Sequence, residues 1–280
     1  MSAFSEANRK AFNDLSEAYN SKPWQRKLSS QVSDALQERK DWIGVQWATE
    51  DNKREVKLLD YACGTGAITK ALGPYVTSMQ GIDISEKMVE EYNKAALSSG
   101  LQPEQASAVV GDLFAEKVPD SLEGPRFQNF DVAVVGLGFH HFEDPALAVK
   151  RLVERLKPTG VLLLVDFVPF GEERKREEEL RAQNPDADFP DMSRTIKHNG
   201  FERADMEKLF TNGGLEDFSW AVLDEQAVME LPKGTVHRTL FIARGRRPAT
   251  VWGKLTTWFG GMQDQASGQV GSVMRADHGR

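Results

Sequence analysis

The sequence predicts an α/β fold in which a mostly parallel, doubly wound sheet is covered by helices on both faces. Three observations support this prediction. Five short, mostly uninterrupted apolar stretches recur between residues 56 and 168, helix-sized amphipathic segments separate them, and a glycine-rich turn follows the first stretch. Short apolar runs are typical of strands buried on both faces, and strand–helix alternation is typical of a parallel sheet.

Composition limits the class of protein. The 280 residues are 40% hydrophobic and 28% charged, which is ordinary for a globular domain. The net charge of -7 argues against binding to the phosphate backbone of a nucleic acid. Cys63 is the single cysteine, so an intrachain disulfide and a zinc site with two or more thiolate ligands are excluded. No signal pattern opens the sequence and the longest aliphatic stretch, 161–165, is too short to span a bilayer. We expect a cytoplasmic protein without integral membrane association, with the nucleus as the alternative.

Residues 1–50 are polar with apolar positions at intervals of mostly three, four or seven, which predicts two amphipathic helices broken at Lys22–Pro23. The predicted strands then follow at 56–61, 77–84, 107–112, 130–136 and 160–168. A helix over 86–99 has Ser85 as its N-cap, and a helix that starts at Asp144–Pro145 runs to residue 156.

The pattern changes after Phe170. A charged helix at 171–180, a loop with two prolines and a helix near 202–212 precede two stretches, 217–223 and 237–245, that predict an antiparallel pair finishing the sheet edge. The tail over 249–280 predicts a short amphipathic helix and a disordered end. It either packs back onto the domain or makes weak contact with an anionic membrane or partner surface.

Three strand ends carry the informative residues. The first strand ends in Asp60 and a turn with Gly64 and Gly66, where glycines let the backbone approach a cofactor closely. Asp83, 17 residues after Gly66, can accept hydrogen bonds from the two ribose hydroxyls of an adenosine cofactor, and Asp112 can accept one from an adenine amino group. The alternatives are that the glycines serve the turn alone and that Asp112 only caps the next turn.

Charge favours one adenosine cofactor over another. A carboxylate at Asp60 would repel the pyrophosphate of a nicotinamide dinucleotide, whose pattern also wants glycine or alanine where Thr69 stands. S-adenosylmethionine instead carries an ammonium and a cationic sulfur, which a carboxylate attracts. We therefore predict S-adenosylmethionine and no metal.

With these residues the chain resembles the class I S-adenosylmethionine-dependent methyltransferases over about residues 55–245. The matching segments are LDYACGTG, GIDIS, VVGD, FDVAVVGLGFHHFEDP and LKPTGVLLLVDF. HHFEDP and the later HNGF are most similar to a small-molecule subgroup that includes quinone-biosynthesis methyltransferases. Ala62 stands where the family usually has glycine, so its backbone angles are expected to be ordinary.

The resemblance implies a seven-stranded sheet of order 3-2-1-4-5-7-6 with strand 7 antiparallel. It also implies a methyltransferase domain over 51–248, a helical insertion at 171–201 that shapes the acceptor pocket, and an N-terminal helical lid over 1–50. The cofactor would contact Asp60, Ala62, Gly64, Gly66, Asp83, Ile84, Met88, Asp112 and Leu113. Tyr19 and Trp24 would contact it from the lid, with packing in the core as the alternative for both.

The implied reaction is methyl transfer by in-line displacement to oxygen, nitrogen, sulfur or carbon of a small organic acceptor, by a monomer or weak homodimer. His140, His141 and His198 are the candidates for a general base, each with a structural role as the alternative. Because neighbouring residues rarely share a direction, we expect one of His140 and His141 to face the site. The alternative function is that of a regulatory protein that binds the cofactor without turnover. A third possibility is a nicotinamide-dependent oxidoreductase.

Overall fold

The computed structural model describes residues 2–19, 21–52, 54–170, 195–231 and 234–249. Its helices are α1 (Ala3–Tyr19), α2 (Pro23–Glu38), α3 (Lys40–Ile43), α4 (Ala67–Leu72), α5 (Glu86–Ser98), α6 (Pro145–Arg155) and α7 (Arg203–Asn212). Its strands are β1 (Lys57–Tyr61), β2 (Ser78–Asp83), β3 (Ala106–Val110), β4 (Phe130–Gly136), β5 (Leu156–Phe167), β6 (Glu216–Val222), β7 (Ala227–Leu231), β8 (Gly234–Arg238) and β9 (Leu240–Arg246).

The main sheet has the order β3-β2-β1-β4-β5-β9-β6. Strands β1 to β5 pair in parallel, and β9 lies antiparallel between β5 and β6. The predicted order with one antiparallel strand is therefore confirmed, β9 being its seventh strand. Parallel order brings the carboxyl ends of β1, β2 and β4 to one edge, where ligands enter such sheets.

Two features of the strands differ from the prediction. The chain between β6 and β9 forms a separate two-stranded antiparallel sheet, β7–β8, that was not predicted. Strand β5 begins at Leu156 and not at residue 160, because the residues between the predicted helix and the predicted strand join the strand as an irregularity. Thr159 has φ +67°, and the register with β4 shifts between Phe130 and Val132.

The helix caps follow from local chemistry. Ser85 Oγ accepts a hydrogen bond from the Met88 N–H at 3.1 Å, and Asp144 Oδ1 accepts one from the Leu147 N–H at 2.9 Å. Both side chains satisfy an N–H group that the first helical turn leaves free. The predicted N-caps of α5 and α6 are confirmed.

Helices cover both faces of the sheet. Leu36 of α2, Ala71 of α4 and Tyr92 of α5 are buried against one face, whereas α6 and α7 bury Leu152 and Met206 against the other. No helix within the described ranges is long and apolar enough to cross a membrane.

The N-terminal helices break at Pro23, as predicted. Helix α1 packs against α5, where Arg9 Nη1 lies 2.6 Å from Glu86 Oε1 and Asn13 Nδ2 donates to Glu86 Oε2 at 2.8 Å. The Ser85 hydroxyl also donates to Asn13 Oδ1 at 2.7 Å. Helix α1 is therefore fixed beside the start of α5, at the carboxyl end of β2.

Some predicted segments lie outside the described residues. They are the charged helix at 171–180, most of the insertion at 171–201 and the tail from residue 250. The described part of the insertion, 195–201, contains no helix.

Candidate active site

A cavity of about 650 Å³ opens at the carboxyl ends of the parallel strands. Its lining comes from the turn after β1, the ends of β2 and β4, the residues after β3, the start of α6 and one side of α1. A volume of this size suits a small-molecule site. Predicted site residues in the lining are Tyr19, Ala62, Gly64, Asp83, Ile84, Met88, Asp112 and His141.

The turn after β1 uses left-handed backbone at several positions. Ala62, Gly64 and Gly66 have φ +55°, +49° and +86°. The expectation of ordinary angles at Ala62 is wrong, because the turn requires this conformation whichever residue stands there. The alanine carries a steric cost of about 1 kcal/mol in this region.

The two glycines of the turn serve different purposes. A Cβ built on Gly64 would meet nothing within 4 Å, so the backbone here is open to a ligand in the cavity. A Cβ on Gly66 would lie 3.1 Å from Tyr92 Cδ2. Gly66 therefore permits close packing on Tyr92, and it does not belong to the cavity lining.

Asp83 ends β2 and lines the cavity. Its Oδ2 accepts from the Gly64 N–H and its Oδ1 from the Ser85 N–H, both at 2.9 Å. A carboxylate has about four acceptor positions, so these two hydrogen bonds leave acceptor capacity for a ligand. Burial raises the pKa of Asp83, and hydrogen bonds from the backbone of Ser85, Gly64 and Ile84 oppose that rise.

Asp112 also lines the cavity, beside an aromatic wall. Its Oδ1 accepts from the Phe114 N–H at 2.8 Å, so Asp112 caps this turn and also lines the cavity. The Tyr61 hydroxyl lies 3.5 Å from the same oxygen and accepts from the Leu113 N–H at 3.2 Å. Leu113 is fully buried outside the lining. Tyr61 and Phe114 line the wall and are absent from the predicted site.

Asp60 lies beneath the turn and not at the cavity wall. Its Oδ2 accepts from the Thr69 hydroxyl at 2.9 Å, whereas Oδ1 is buried with no partner among the described residues. The Thr69 oxygen also lies 2.8 Å from the Tyr92 hydroxyl. Burial raises the pKa of Asp60 to about 8. Direct attraction of a cofactor ammonium by an ionised Asp60, as the sequence suggested, does not fit this geometry.

The N-terminal helices contribute unequally. Tyr19, near the end of α1, lines the cavity, as do Asn8 and Phe12 of the same helix. Trp24 of α2 packs against the core instead, and its Nε1 has no partner within the described ranges.

The two neighbouring histidines occupy a short 3-10 turn after β4. His140 is buried, and its Nδ1 lies 2.9 Å from Oδ1 of the fully buried Asp166, whose Oδ2 accepts from the His140 backbone N–H at 3.0 Å. His141 lines the cavity, and its Nδ1 lies 2.7 Å from the Thr195 carbonyl oxygen. One of the pair faces the cavity as expected. The reason given was wrong, however, because the two rings lie side by side with centroids 4.0 Å apart.

These contacts determine the tautomer and the protonation state of His141. A carbonyl oxygen only accepts, so Nδ1 carries the proton and Nε2 of the neutral ring is an acceptor. Burial, then the charge of His140, lowers the pKa of His141 well below its ordinary value, and the hydrogen bond to Thr195 opposes this. His141 is therefore neutral near pH 7.

His198 ties the segment 195–199 to the histidine turn. Its Nε2 donates to the Phe142 carbonyl at 3.0 Å, and the Lys197 and His198 N–H groups donate to the His140 carbonyl at 3.0 and 3.1 Å. His198 is not part of the cavity lining, whereas Lys197 is. Asp166 thus fixes His140, and His140 fixes the segment that carries the Thr195 carbonyl. Among the described residues no cluster of three or more side chains could hold a metal ion.

Fold and site together define an α/β protein with an open cavity at the carboxyl ends of its parallel strands, where sheets of this kind bind their ligands. A family model described as a methyltransferase domain matches residues 24–219, more than half of the chain. The chain therefore belongs to the methyltransferase-domain family, whose members are enzymes that use S-adenosylmethionine. The resemblance drawn from the motifs is confirmed.

Individual relatives are more distant. The chain is 35% identical to an uncharacterized methyltransferase of Schizosaccharomyces pombe over 124 residues, 43% of this chain and 42% of the relative. It is 28% identical to the demethylmenaquinone methyltransferase of Staphylococcus aureus over 166 residues, 58% of this chain and 60% of that protein. The matches thus span less than two thirds of these curated relatives.

Solved structures show the same fold. An S-adenosylmethionine-dependent methyltransferase from Anabaena variabilis superposes with a TM-score of 0.60 at 20% identity, covering 88% of this chain and 96% of the other. Magnesium protoporphyrin IX methyltransferase from Synechocystis, with bound S-adenosylhomocysteine, gives a TM-score of 0.56 at 17% identity, covering 86% and 99%.

Proposed function

We propose that this chain transfers the methyl group of S-adenosylmethionine to a small organic acceptor by in-line displacement. The observation that carries the proposal is that one cavity is lined both by the strand-end carboxylates of Asp83 and Asp112 and by the neutral imidazole of His141. The two carboxylates can bind the adenosine of the cofactor, and the imidazole can take a proton from the methyl acceptor.

The residues present fit the cofactor. The carboxylate of Asp83 can accept hydrogen bonds from the ribose hydroxyls, and that of Asp112 can accept one from the adenine amino group. The open space beside Gly64 admits a ligand close to the backbone. Ile84 and Met88 add apolar wall. When bound, the cofactor supplies an electrophilic methyl group on a cationic sulfur.

The chain would accelerate the transfer mainly by positioning. Methyl displacement needs the attacking atom in line with the carbon–sulfur bond, and fixed geometry supplies much of the rate enhancement. Helix α1 places Asn8, Phe12 and Tyr19 on the cavity wall and is anchored to α5 through Glu86. We infer that helix α1, the first part of the predicted N-terminal lid, excludes water from the reacting groups.

His141 is the proposed general base. Its Nδ1 is engaged by Thr195, so Nε2 keeps a lone pair that can accept the proton of an acceptor hydroxyl or amine as the methyl group arrives. Because its pKa lies well below the ordinary value, protonation of His141 should not reduce activity between pH 8 and about pH 6.5. His140 and His198, held by Asp166 and Phe142, act as positioning residues.

Incubation of the chain with S-adenosylmethionine labelled on its methyl group, together with a protein-free small-molecule extract, tests the proposal. We expect label in a small molecule and stoichiometric S-adenosylhomocysteine. His141→Gln should lower turnover about 100-fold without changing S-adenosylhomocysteine affinity, whereas the matched control His237→Gln, on exposed β8, should leave turnover unchanged. Cofactor binding without any labelled product would contradict the proposal and favour a regulatory protein.

A further inference from the structure

Helix α1 forms one side of the cavity but takes no part in the apolar core. Its residues Ser5, Asn8, Phe12 and Tyr19 line the cavity. None of its side chains that the structure describes belongs to either buried apolar cluster, although α2, α4 and α5 all contribute to one of them. An element with few buried apolar contacts opens locally at a low cost in free energy. The position of α1 therefore depends on its polar contacts and on what occupies the cavity.

Polar contacts fasten α1 to the start of α5. Asn13 Oδ1 accepts from the Ser85 hydroxyl at 2.7 Å and from the Lys87 backbone N–H at 3.2 Å. Because a backbone N–H only donates, the amide orientation is fixed, and Asn13 Nδ2 donates to Glu86 Oε2 at 2.8 Å. Arg9 Nη1 lies 2.6 Å from the other carboxylate oxygen of Glu86. We call the side chains of Arg9, Asn13 and Glu86 the latch.

The start of α5 also belongs to the candidate cofactor site. The Ser85 N–H donates to Oδ1 of Asp83, the carboxylate proposed to hold the ribose, whereas the Ser85 hydroxyl donates to Asn13. One residue thus links the latch to the ribose carboxylate. Farther along α1, burial and the charge of Asp83 raise the pKa of Tyr19, which lines the cavity. A ligand held by Asp83 would therefore lie between the strand ends and α1.

Helix α1 is held differently at the histidine end of the cavity. Asn8 Nδ2 donates to the His141 carbonyl at 3.4 Å, which is long for a hydrogen bond, and the Phe12 and His141 rings meet edge-on with centroids 5.2 Å apart. Ser2 donates to Glu143, which is exposed to solvent. The latch instead combines an ion pair with a charge-assisted hydrogen bond, and such contacts are the stronger kinds. We therefore expect the latch to be the main polar restraint on α1.

We propose that α1 is a gate over the cofactor, and that S-adenosylmethionine enters and S-adenosylhomocysteine leaves only while the latch is broken. This inference rests on the proposed function, because α1 covers the cofactor end of the same cavity. Breaking the latch raises the open fraction of the free chain and of the complex alike. The rate constants of association and dissociation should then rise together, while their ratio, the Kd, changes little. A fixed wall that only contacts the cofactor would change dissociation alone.

Surface plasmon resonance on the immobilised chain, with S-adenosylhomocysteine as the probe, measures both rate constants. Asn13→Ala removes three hydrogen bonds, one of them to a carboxylate, so both rate constants should rise about tenfold. Asn13→Asp should act in the same direction, since it places a second carboxylate against that of Glu86.

A double variant tests whether the latch itself is responsible. Combining Asn13→Asp with Glu86→Gln exchanges the donor and the acceptor, and the carboxylate then at position 13 lies four residues from Arg9, where the two can pair. Both rate constants should return to within about threefold of those of the unsubstituted chain. Glu90→Gln is the matched control, because Glu90 pairs with Lys87 on the same helix, and it should leave both rate constants unchanged.

Three results would overturn the inference. They are an unchanged association rate constant in Asn13→Ala, a rise in dissociation alone, and a double variant that exchanges the probe as fast as Asn13→Asp. Failure of the unsubstituted chain to bind S-adenosylhomocysteine would instead overturn the proposed function.

Discussion

Replacing Asp60 by asparagine should stabilise the cofactor-free chain, and by more as the pH rises. Asp60 is 1% exposed and has one oxygen bonded to Thr69 and the other unpaired. Burial favours the neutral carboxyl, which raises the pKa of Asp60 from its ordinary value of 3.8 to about 8. The fold should not change on substitution, because an asparagine amide keeps the shape and the acceptor oxygen of the protonated acid.

The sign of the effect follows from proton binding. Between about pH 4 and pH 8 the unfolded chain has an ionised Asp60 and the folded chain a protonated one, so raising the pH favours unfolding. The stabilisation is complete below the unfolded pKa and is lost as the pH rises towards about 8. Each pH unit in this window costs about 1.4 kcal/mol, or about 3 kcal/mol between pH 5 and pH 7.5.

Urea unfolding at pH 5, 6, 7 and 7.5 measures this difference. The free energy of unfolding of Asp60→Asn minus that of the unsubstituted chain should grow by about 1.4 kcal/mol per pH unit. Asp41→Asn, whose side chain is 94% exposed, is the control and should show no such trend. A difference for Asp60→Asn that stays constant from pH 5 to pH 7.5 would refute the reasoning.

Two further substitutions test the turn and the histidine pair. Ala62→Gly removes the cost of a side chain at φ +55° but adds unfolded-state entropy, so a net stabilisation of about 0.5 kcal/mol is expected in urea unfolding; a loss above about 1 kcal/mol would contradict it. Asp166→Asn can turn an amide N–H towards His140 Nδ1 and force the other tautomer. Turnover should fall at least about tenfold with S-adenosylhomocysteine affinity unchanged, and the His140 Nδ1 proton resonance should disappear; unchanged turnover with that resonance lost would show that the pair does not position the site.

Much of the fold could be predicted because its signals are local. Apolar runs marked the buried strands, and the side chains of Ser85 and Asp144 marked the helix starts that they cap. The β7–β8 sheet was missed because neither strand forms part of the buried main sheet, and so neither shows the apolar run that marked the others.

The site was predicted less completely, since burial and pairing depend on residues distant in sequence. Asp60 lies near the end of the buried strand β1, and only the packing of Thr69 over it shows that it faces away from the cavity. His140 and His141 are equivalent in the sequence, and their partners, Asp166 and the Thr195 carbonyl, distinguish them.

One feature of the sequence that indicates the histidine site was not used in the prediction. Asp166 stands within the apolar run of β5, and a carboxylate there is stable only with buried hydrogen-bond donors. Asp166 therefore predicts a cationic or N–H partner at the carboxyl end of the sheet, where the turn with His140 and His141 lies. Asn8 had no comparable signal, because its burial depends on how α1 lies over the cavity.

The most direct measurement is calorimetric titration of S-adenosylhomocysteine into the chain and into Asp83→Asn. The central claim is that Asp83 holds the cofactor ribose with the acceptor positions left free by Gly64 and Ser85. The unsubstituted chain should bind, and Asp83→Asn should bind about 100-fold more weakly, since hydrogen bonds to a charged group are lost. Asp144→Asn, which keeps an N-cap side chain at the other end of the cavity, should bind as the unsubstituted chain does. Absence of binding, or equal affinity for Asp83→Asn, would contradict the account.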